Sequence, residues 1–589
     1  MQLRNPGTTP VGAELRQALG ELRPHFVKSA WFTLIAGLLV LAPSGYMLEV
    51  YERVVNSRSY MTLAMLTLAV VIAYVVMEVL EWAHSEEMHE AGLALDRRLG
   101  SRVLRASFEA QLRRLPGGTT QPLADLRTLR EFLASPVLRA VMESPVSLVL
   151  LLILFAMNPV LGWAAVAGAI VQVAVAWLNE QATRAPLMQA NRASQAAQQY
   201  ADGSLRNAQV IEAMGMLKDI HGRWLERQGE LLRLQALASS RAALYSALAK
   251  MVQIVWGSLL LGLGAWQVLR GEMDGNGGHV IVGSILGGQV LKPLVQIVTG
   301  WSQAVNARDA WQRLAAMLDS VPPPPLAMPL PSPRGHLVAE GLLVTAPGTN
   351  LPILRGVSFA VLPGEVLAVI GPSASGKTTL ARALLGLWPS AGGKARLDGV
   401  DMHTWDKTEL GPHVGYLPQG IELFDGTVAE NIARFGEADP VKVEAASRAV
   451  GLHESILSLP QGYDTDVGPE GMRLSGGQRQ RIGLARALYG DPVLVLLDEP
   501  NSSLDEAGDA ALSQAIARAK ARGTTFVVIT HRTSVLGVAD RILFLQDGMV
   551  QMFGPRDDVL AALQKAAQQA SQGAAAGMPP PPALQATAS

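Results

Sequence analysis

The sequence predicts two fold classes in series: an α-helical membrane domain of six transmembrane helices, then an α/β domain built round a glycine-rich loop. Three observations predict this. Six apolar stretches, each close to the about 20 residues that cross a bilayer, fall within residues 29–320. From residue 335 to 564, short apolar strands alternate with helical segments, the pattern of an α/β domain. Between the halves, Val321-Pro-Pro-Pro-Pro325 with Pro329, Pro331 and Pro333 forms a stiff, extended linker over 321–334.

The membrane helices are predicted at Ala30–Glu49, Tyr60–Leu80, Val141–Met157, Val160–Leu178, Ala247–Leu269 and Val280–Gly300. Pro43, Ser44 and Gly45 interrupt the first, and only Asn158 and Pro159 join the third to the fourth, so these two form a helical hairpin. Residues 1–28 carry charges throughout and show no cleavable signal peptide. Nine arginines fall in 82–140 and seven, with Lys218, in 179–249, whereas the opposite connections hold only Arg53, Arg58 and Arg270. By the positive-inside rule both long loops and both termini are cytoplasmic. The loops are polar and compatible with helix, as in Glu87–Leu112 and Ala190–Met214, and should prolong the membrane helices into the cytoplasm. Gln289, Lys292, Pro293 and Gln296 share one face of the last span. Two readings fit that face: a hydrophilic lining for a polar substrate, or helix–helix hydrogen bonding with Lys292 reaching for a headgroup.

Composition narrows the remaining possibilities. Of the 589 residues, 49% are hydrophobic and 17% charged, and the net charge of −1 points to no nucleic-acid partner. The absence of cysteine excludes disulfides, thiolate metal sites and a cysteine nucleophile. Residues 565–589 form a tail rich in Ala, Gln, Gly and Pro, with no charge after Lys565, and are expected to be disordered.

In the second half, the apolar strand Glu365–Ile370 leads into Gly371, Pro372, Ser373, Ala374, Ser375, Gly376, Lys377 and Thr378, with Thr379 next in the following helix. This is a phosphate-binding loop in the strand–loop–helix setting such a loop needs, so the half reads as a P-loop ATPase domain binding ATP and Mg2+. Its glycines let backbone amides point at phosphates, Lys377 supplies a mobile positive charge, and Thr378 can hold the metal. A second strand, Pro492–Leu497, delivers Asp498 as a metal-holding carboxylate and Glu499 as the general base. A third, Thr524–Thr530, delivers His531 to the same edge. Lys377, Glu499 and His531 are therefore the expected catalytic groups, with Thr378 and Asp498 on the metal.

With these elements in order, residues 335–564 resemble the nucleotide-binding domain of ATP-binding-cassette transporters. Leu474-Ser-Gly-Gly-Gln478 looks like the family's signature motif. The resemblance implies that Ser475, Gly476, Gly477 and Gln478 cap the nucleotide bound by a second copy of the chain, using a helix N-terminus as anion receptor. It implies that Gln419 is the Q-loop residue touching magnesium and the membrane domain, that Asp505 lies in the D-loop, and that His531 is the switch histidine. Val467-Gly-Pro-Glu-Gly471 resembles the loop of exporters that meets the intracellular helices. One departure stands out: Val344-Thr-Ala-Pro-Gly348 has no aromatic where exporters stack one on adenine.

A narrower likeness comes from the membrane half. Tyr46–Arg58 with Thr62-Leu63, Val210–Met216 and Ala346–Gly348 are similar to segments of type I secretion permease/ATPases, those exporting proteases and lipases with glycine-rich repeats. No cysteine-peptidase domain is expected ahead of residue 30. The resemblance implies an ABC exporter fold and a homodimer in the bacterial inner membrane. It also implies a periplasmic membrane-fusion adaptor, an outer-membrane channel and a secreted polypeptide with a C-terminal signal. An exporter of lipid or small amphiphiles on the same scaffold is the alternative.

Overall fold

The structure is a computed structural model and describes residues 12–115, 117–271, 277–323, 329–346, 351–468 and 471–575. The chain divides into two compact units, with the boundary between Pro323 and Pro324.

Among the described residues, the first unit holds six helices long and apolar enough to cross a membrane. The first span comprises Arg23–Leu39, Leu41–Glu49, a wider π turn over Val50–Val54, and Val55–Ser57. The break at Val40 has a local cause. Pro43 cannot donate to the carbonyl of Leu39 four residues earlier, and its ring crowds that oxygen. The span starts at Arg23, earlier than expected, following a short helix at Ala13–Glu21.

Tyr60–Leu112 and Leu217–Leu269 are single helices of 53 residues. At 1.5 Å per residue each runs about 80 Å, so a bilayer core of about 30 Å leaves most of the helix outside it. Met61, Met65, Leu68, Ile72 and Val75 are exposed along the membrane part of the first of these, as a lipid-facing surface requires. The expected hairpin forms between Pro136–Met157 and Pro159–Arg206. Asn158 caps the second arm by accepting from Val160 N at 2.8 Å, and Pro159 occupies the first helical position.

One expectation is corrected here. Ala190–Met214 is not one continuous helix: the chain breaks at Asn207, forms the short helix Ala208–Ala213, and turns through Gly215. The two long helices flanking this segment pack against each other, so the chain reverses direction here. The last span, Gly277–Thr299, is followed by Trp301–Ser320.

Past the membrane part, Leu15, Met88, Leu99, Leu126, Leu314 and Leu318 share one apolar core. Ion pairs close its surface: Arg102 with Glu14 at 3.1 Å, and Arg313 with Asp125 at 2.6 Å. Gln289, Lys292 and Pro293 line a small cavity with Glu81, His84 and Arg139. Arg139 is held there by Glu81 at 2.7 Å and Glu143 at 2.9 Å, and His84 by the Ser29 and Thr33 hydroxyls.

The second unit carries two sheets. The strands are β1 Leu337–Thr345, β2 Pro352–Val361, β3 Val366–Ile370, β4 Gly392–Leu397, β5 Val400–Asp401, β6 Val414–Leu417, β7 Leu494–Asp498, β8 Thr525–Ile529, β9 Arg541–Gln546 and β10 Met549–Pro555. An antiparallel sheet has the order β2-β1-β4-β5, and a six-stranded sheet the order β10-β9-β3-β8-β7-β6. In the latter, β9, β3, β8, β7 and β6 are parallel and β10 is an antiparallel edge. Strands β7 and β8 are buried over their whole length, as continuous apolar runs covered on both faces should be. The final helix, Arg556–Ala575, extends through residues 565–575, part of the segment expected to be disordered; Ala and Gln there are good helix formers. The rest of that tail, 576–589, lies outside the described residues.

Candidate nucleotide site

In a mostly parallel sheet, ligands gather beyond the carboxyl ends of the strands. Four neighbouring strands deliver the candidate residues to that edge: β3 leads into Gly371, β6 into Gln419, β7 ends at Asp498, and β8 precedes His531.

The loop after β3 is curled by its glycines. A Cβ on Gly371 would lie 2.0 Å from the carbonyl oxygen of Leu545, and Gly376 (φ 99°) begins the helix Lys377–Leu384 in a left-handed conformation. Lys377 bends back over the loop, its Nζ donating to the carbonyls of Gly371 at 2.9 Å and Pro372 at 2.8 Å. Burial lowers the pKa of this ammonium, and the charges of Glu499 and Asp498 oppose that shift. Ser375 is buried and its Oγ has no hydrogen-bond partner among the described residues, whereas Pro372, Ser373 and Ala374 are exposed and Thr379 half-buried.

Asp498 is 1% exposed. Burial pushes its carboxyl above the usual carboxylate range, with a hydrogen bond from Thr378 and the charge of Arg382 pulling the other way. Its Oδ2 has no hydrogen-bond partner among the described residues. A buried carboxylate with one free oxygen, beside a threonine hydroxyl and under a loop of backbone amides, fits a hard divalent cation carrying a nucleotide phosphate. Thr378 and Asp498 would hold the ion, and Lys377 would leave its two carbonyls for phosphate oxygens.

Glu499 has left-handed backbone (φ 51°), held by its N–H donating to Ile529 O at 2.9 Å. Its carboxylate is the point of convergence. Gln419 Nε2 donates to Oε2 at 3.1 Å, and His531 Nε2 stands 3.5 Å from Oε1. A partly exposed carboxylate fixed by two neighbours can take a proton from water next to the phosphate loop.

Ser475 caps the helix Gly476–Leu488 in a reciprocal box, its hydroxyl accepting from Gln478 N at 3.2 Å and Gln478 Oε1 accepting from Ser475 N at 2.9 Å. Nothing crowds Gly476, which leaves that end open to an anion. Asp505 caps the helix Glu506–Ala521 and pairs with Arg481 at 2.6 Å. The Gly508 N–H, together with Arg481, holds its carboxyl below the ordinary value. The structure thus brings Lys377, Thr378, Asp498, Glu499, Gln419 and His531 together. Among the described residues no hydrogen bond joins the signature residues Ser475–Gln478 to the phosphate loop.

Gln480 is a member that sequence reasoning missed. It is 1% exposed on the signature helix. Its Nε2 donates to the carbonyl of Glu499 at 3.3 Å and to that of Pro500, while its Oε1 accepts from Ser503 N at 3.0 Å. One amide therefore ties the signature helix to the Glu499 segment and to the start of the D-loop. Its signal was a polar residue sharing the face of Leu484 and Ala487, both of which are buried. Pro469 and Glu470 of the exporter loop, and Pro347 and Gly348 of the adenine-side segment, lie outside the described residues. Ala346 is described, with its N–H donating to Leu351 O at 3.0 Å.

Comparison with known proteins agrees with this geometry. Residues 29–286 match the family model for the ABC transporter transmembrane region, and residues 354–502 that for the ABC transporter. The Type I secretion system ATP-binding protein PrsD of Rhizobium meliloti is 39% identical over 564 residues, 95% of this chain and 97% of that protein. The cyclolysin secretion/processing ATP-binding protein CyaB of Bordetella pertussis is 35% identical over 51% of this chain and 42% of its own length. The ATP-dependent lipid A-core flippase of Burkholderia orbicola is 38% identical over 39% of each. A solved bacterial Atm1-family ABC exporter with ATP bound shares the fold, with a TM-score of 0.80 at 22% identity, covering 95% of this chain and 99% of that one. A six-helix membrane unit and a phosphate-loop unit in one chain, alike from end to end to a secretion ATPase, make this protein a member of the ABC transporter family, an ATPase whose hydrolysis is coupled to transport.

Proposed function

We propose that the chain is the inner-membrane motor of a type I secretion pathway and exports a polypeptide. The observation that carries this reading is the end-to-end likeness to PrsD, which spans the membrane unit as well as the ATPase. The flippase likeness covers 39% of the chain and so supports a lipid cargo less. On this reading two copies form a homodimer with both termini cytoplasmic, and an adaptor and an outer-membrane channel complete the path.

The residue roles belong to the same proposal. Lys377 and the loop amides bind the phosphates of ATP, and Thr378, Asp498 and Gln419 serve Mg2+, which neutralises charge on those phosphates. Glu499 accepts the proton of the attacking water, oriented by Gln419 and His531. Ser475, Gly476, Gly477 and Gln478 close over the nucleotide of the other copy, with Asp505 at the same seam. Closure of this dimer by nucleotide shifts the population of membrane-unit conformations.

Glu499→Gln should keep ATP binding and lower turnover by roughly 10²–10⁴-fold, the usual contribution of a general base. Supernatant proteomes of cells carrying the wild type or this variant test the cargo. Loss of one or a few polypeptides from the medium, with their accumulation inside, is expected. An unchanged supernatant despite lost hydrolysis would refute polypeptide export and favour the lipid reading.

A further inference from the structure

Four helices of the membrane unit, Pro159–Arg206, Leu217–Leu269, Gly277–Thr299 and Trp301–Ser320, line an open cavity of about 360 Å3. It lies just past the ends of three spans, on the side of the arginine-rich connections. None of its lining residues is charged, and most carry an amide or a hydroxyl. Asn179, Asn191, Gln235, Ser239 and Asn306 are among them, with the indole of Trp301.

This wall is selective by its chemistry. A phosphate or carboxylate ligand would leave its charge unpaired, and an acyl chain would leave Asn179 Oδ1 and Trp301 Nε1 without partners. A ligand with closely spaced neutral donors and acceptors satisfies it. Asn, Gln and Ser side chains each offer both functions, and the peptide group carries one N–H and one C=O per residue. Among the described residues, two lining residues have buried polar atoms without a hydrogen-bond partner, one of each kind: the acceptor Asn179 Oδ1 and the donor Trp301 Nε1. The cavity beside Lys292 is different, since there Arg139 is already paired with two glutamates.

We propose that the uncharged cavity binds the main chain of an extended polypeptide and reads peptide groups rather than side chains. This rests on the polypeptide-export reading and adds where and how the cargo is held. Such a site suits a passage that must accept every stretch of a long cargo in turn.

The test uses the full-length protein in lipid nanodiscs with a fluorescent Gly/Ser/Ala/Asn peptide bearing a photoreactive group. A second peptide of the same sequence is N-methylated at alternate residues. Gln235 and Ser239 are exposed, so Gln235→Leu with Ser239→Ala should fold, as size-exclusion profiles check. The parent peptide should label the four helices around the cavity. N-methylation, and separately the double variant, should each weaken binding about tenfold, the loss of one or two hydrogen bonds. Equal affinity for both peptides and both proteins would overturn the proposal. Failure of any peptide to bind would overturn it too, and the supernatant comparison then decides separately whether polypeptide export survives.

Discussion

Asp498 is placed where folding would not choose to put a carboxylate. It is buried beside the phosphate loop with one oxygen unpartnered, and burial raises its pKa. A raised pKa means a stability contribution that is complete below the ordinary value and lost as pH rises through the folded one. Nucleotide-free protein should therefore lose stability from pH about 4 upward as this carboxyl ionises. Asp498→Asn removes that ionisation. In the full-length protein without nucleotide, the variant should melt above wild type by a margin that widens toward neutral pH. Its Mg2+-dependent turnover should fall by about 10²-fold or more if this carboxylate holds the metal, as proposed. Equal melting curves at all pH values would show that Asp498 carries no such strain. At this scale the sequence was very legible. Gly371–Thr378, Asp498, Glu499 and His531 stand in motifs whose spacing is dictated by phosphate and metal chemistry. Gln480 was not read because its role consists of hydrogen bonds to backbone atoms of Glu499 and Ser503, which no pattern of side chains announces.

Elements were legible where hydropathy or a backbone rule decides them. The six spans follow from apolar length, the hairpin from Asn158-Pro159, and the break at Val40 from Pro43. The break at Asn207 was not, because Ala190–Met214 is a polar run of good helix formers and its reversal depends on tertiary packing. Arg434 shows another element-scale feature hidden from sequence. Its guanidinium donates to the carbonyls of Gly411, Val414, Arg486, Ala487 and Tyr489, tying the end of the signature helix to the start of β6. Burial, with Arg486 nearby, lowers its pKa. Arg434→Met would keep the stem and leave these acceptors unsatisfied, at a cost of about 3 kcal/mol. The full-length variant should unfold at lower temperature yet bind ATP normally below its transition. An unchanged melting temperature would show that water replaces the guanidinium without penalty.

At the scale of the whole molecule, the decisive feature is that Ser475–Gln478 and the phosphate loop occupy different places in one chain, with no hydrogen bond between them among the described residues. The signature helix has an open, capped N-terminus suited to an anion, so the proposed homodimer would supply the nucleotide from the facing copy. A doubly tagged heterodimer separates this arrangement from one in which each chain completes its own site. One subunit carries Lys377→Ala, the other Ser475→Arg, and both carry Glu499→Gln so that bound ATP persists. If sites form across the interface, both lesions fall in the same composite site and the other site is intact, so half of the ATP held by the Glu499→Gln homodimer should be trapped. If each chain closes its own site, both sites are damaged and almost no ATP is retained. The two arrangements thus give opposite results from identical lesions, and retention near zero would remove the intersubunit role assigned to Ser475 and Gly477.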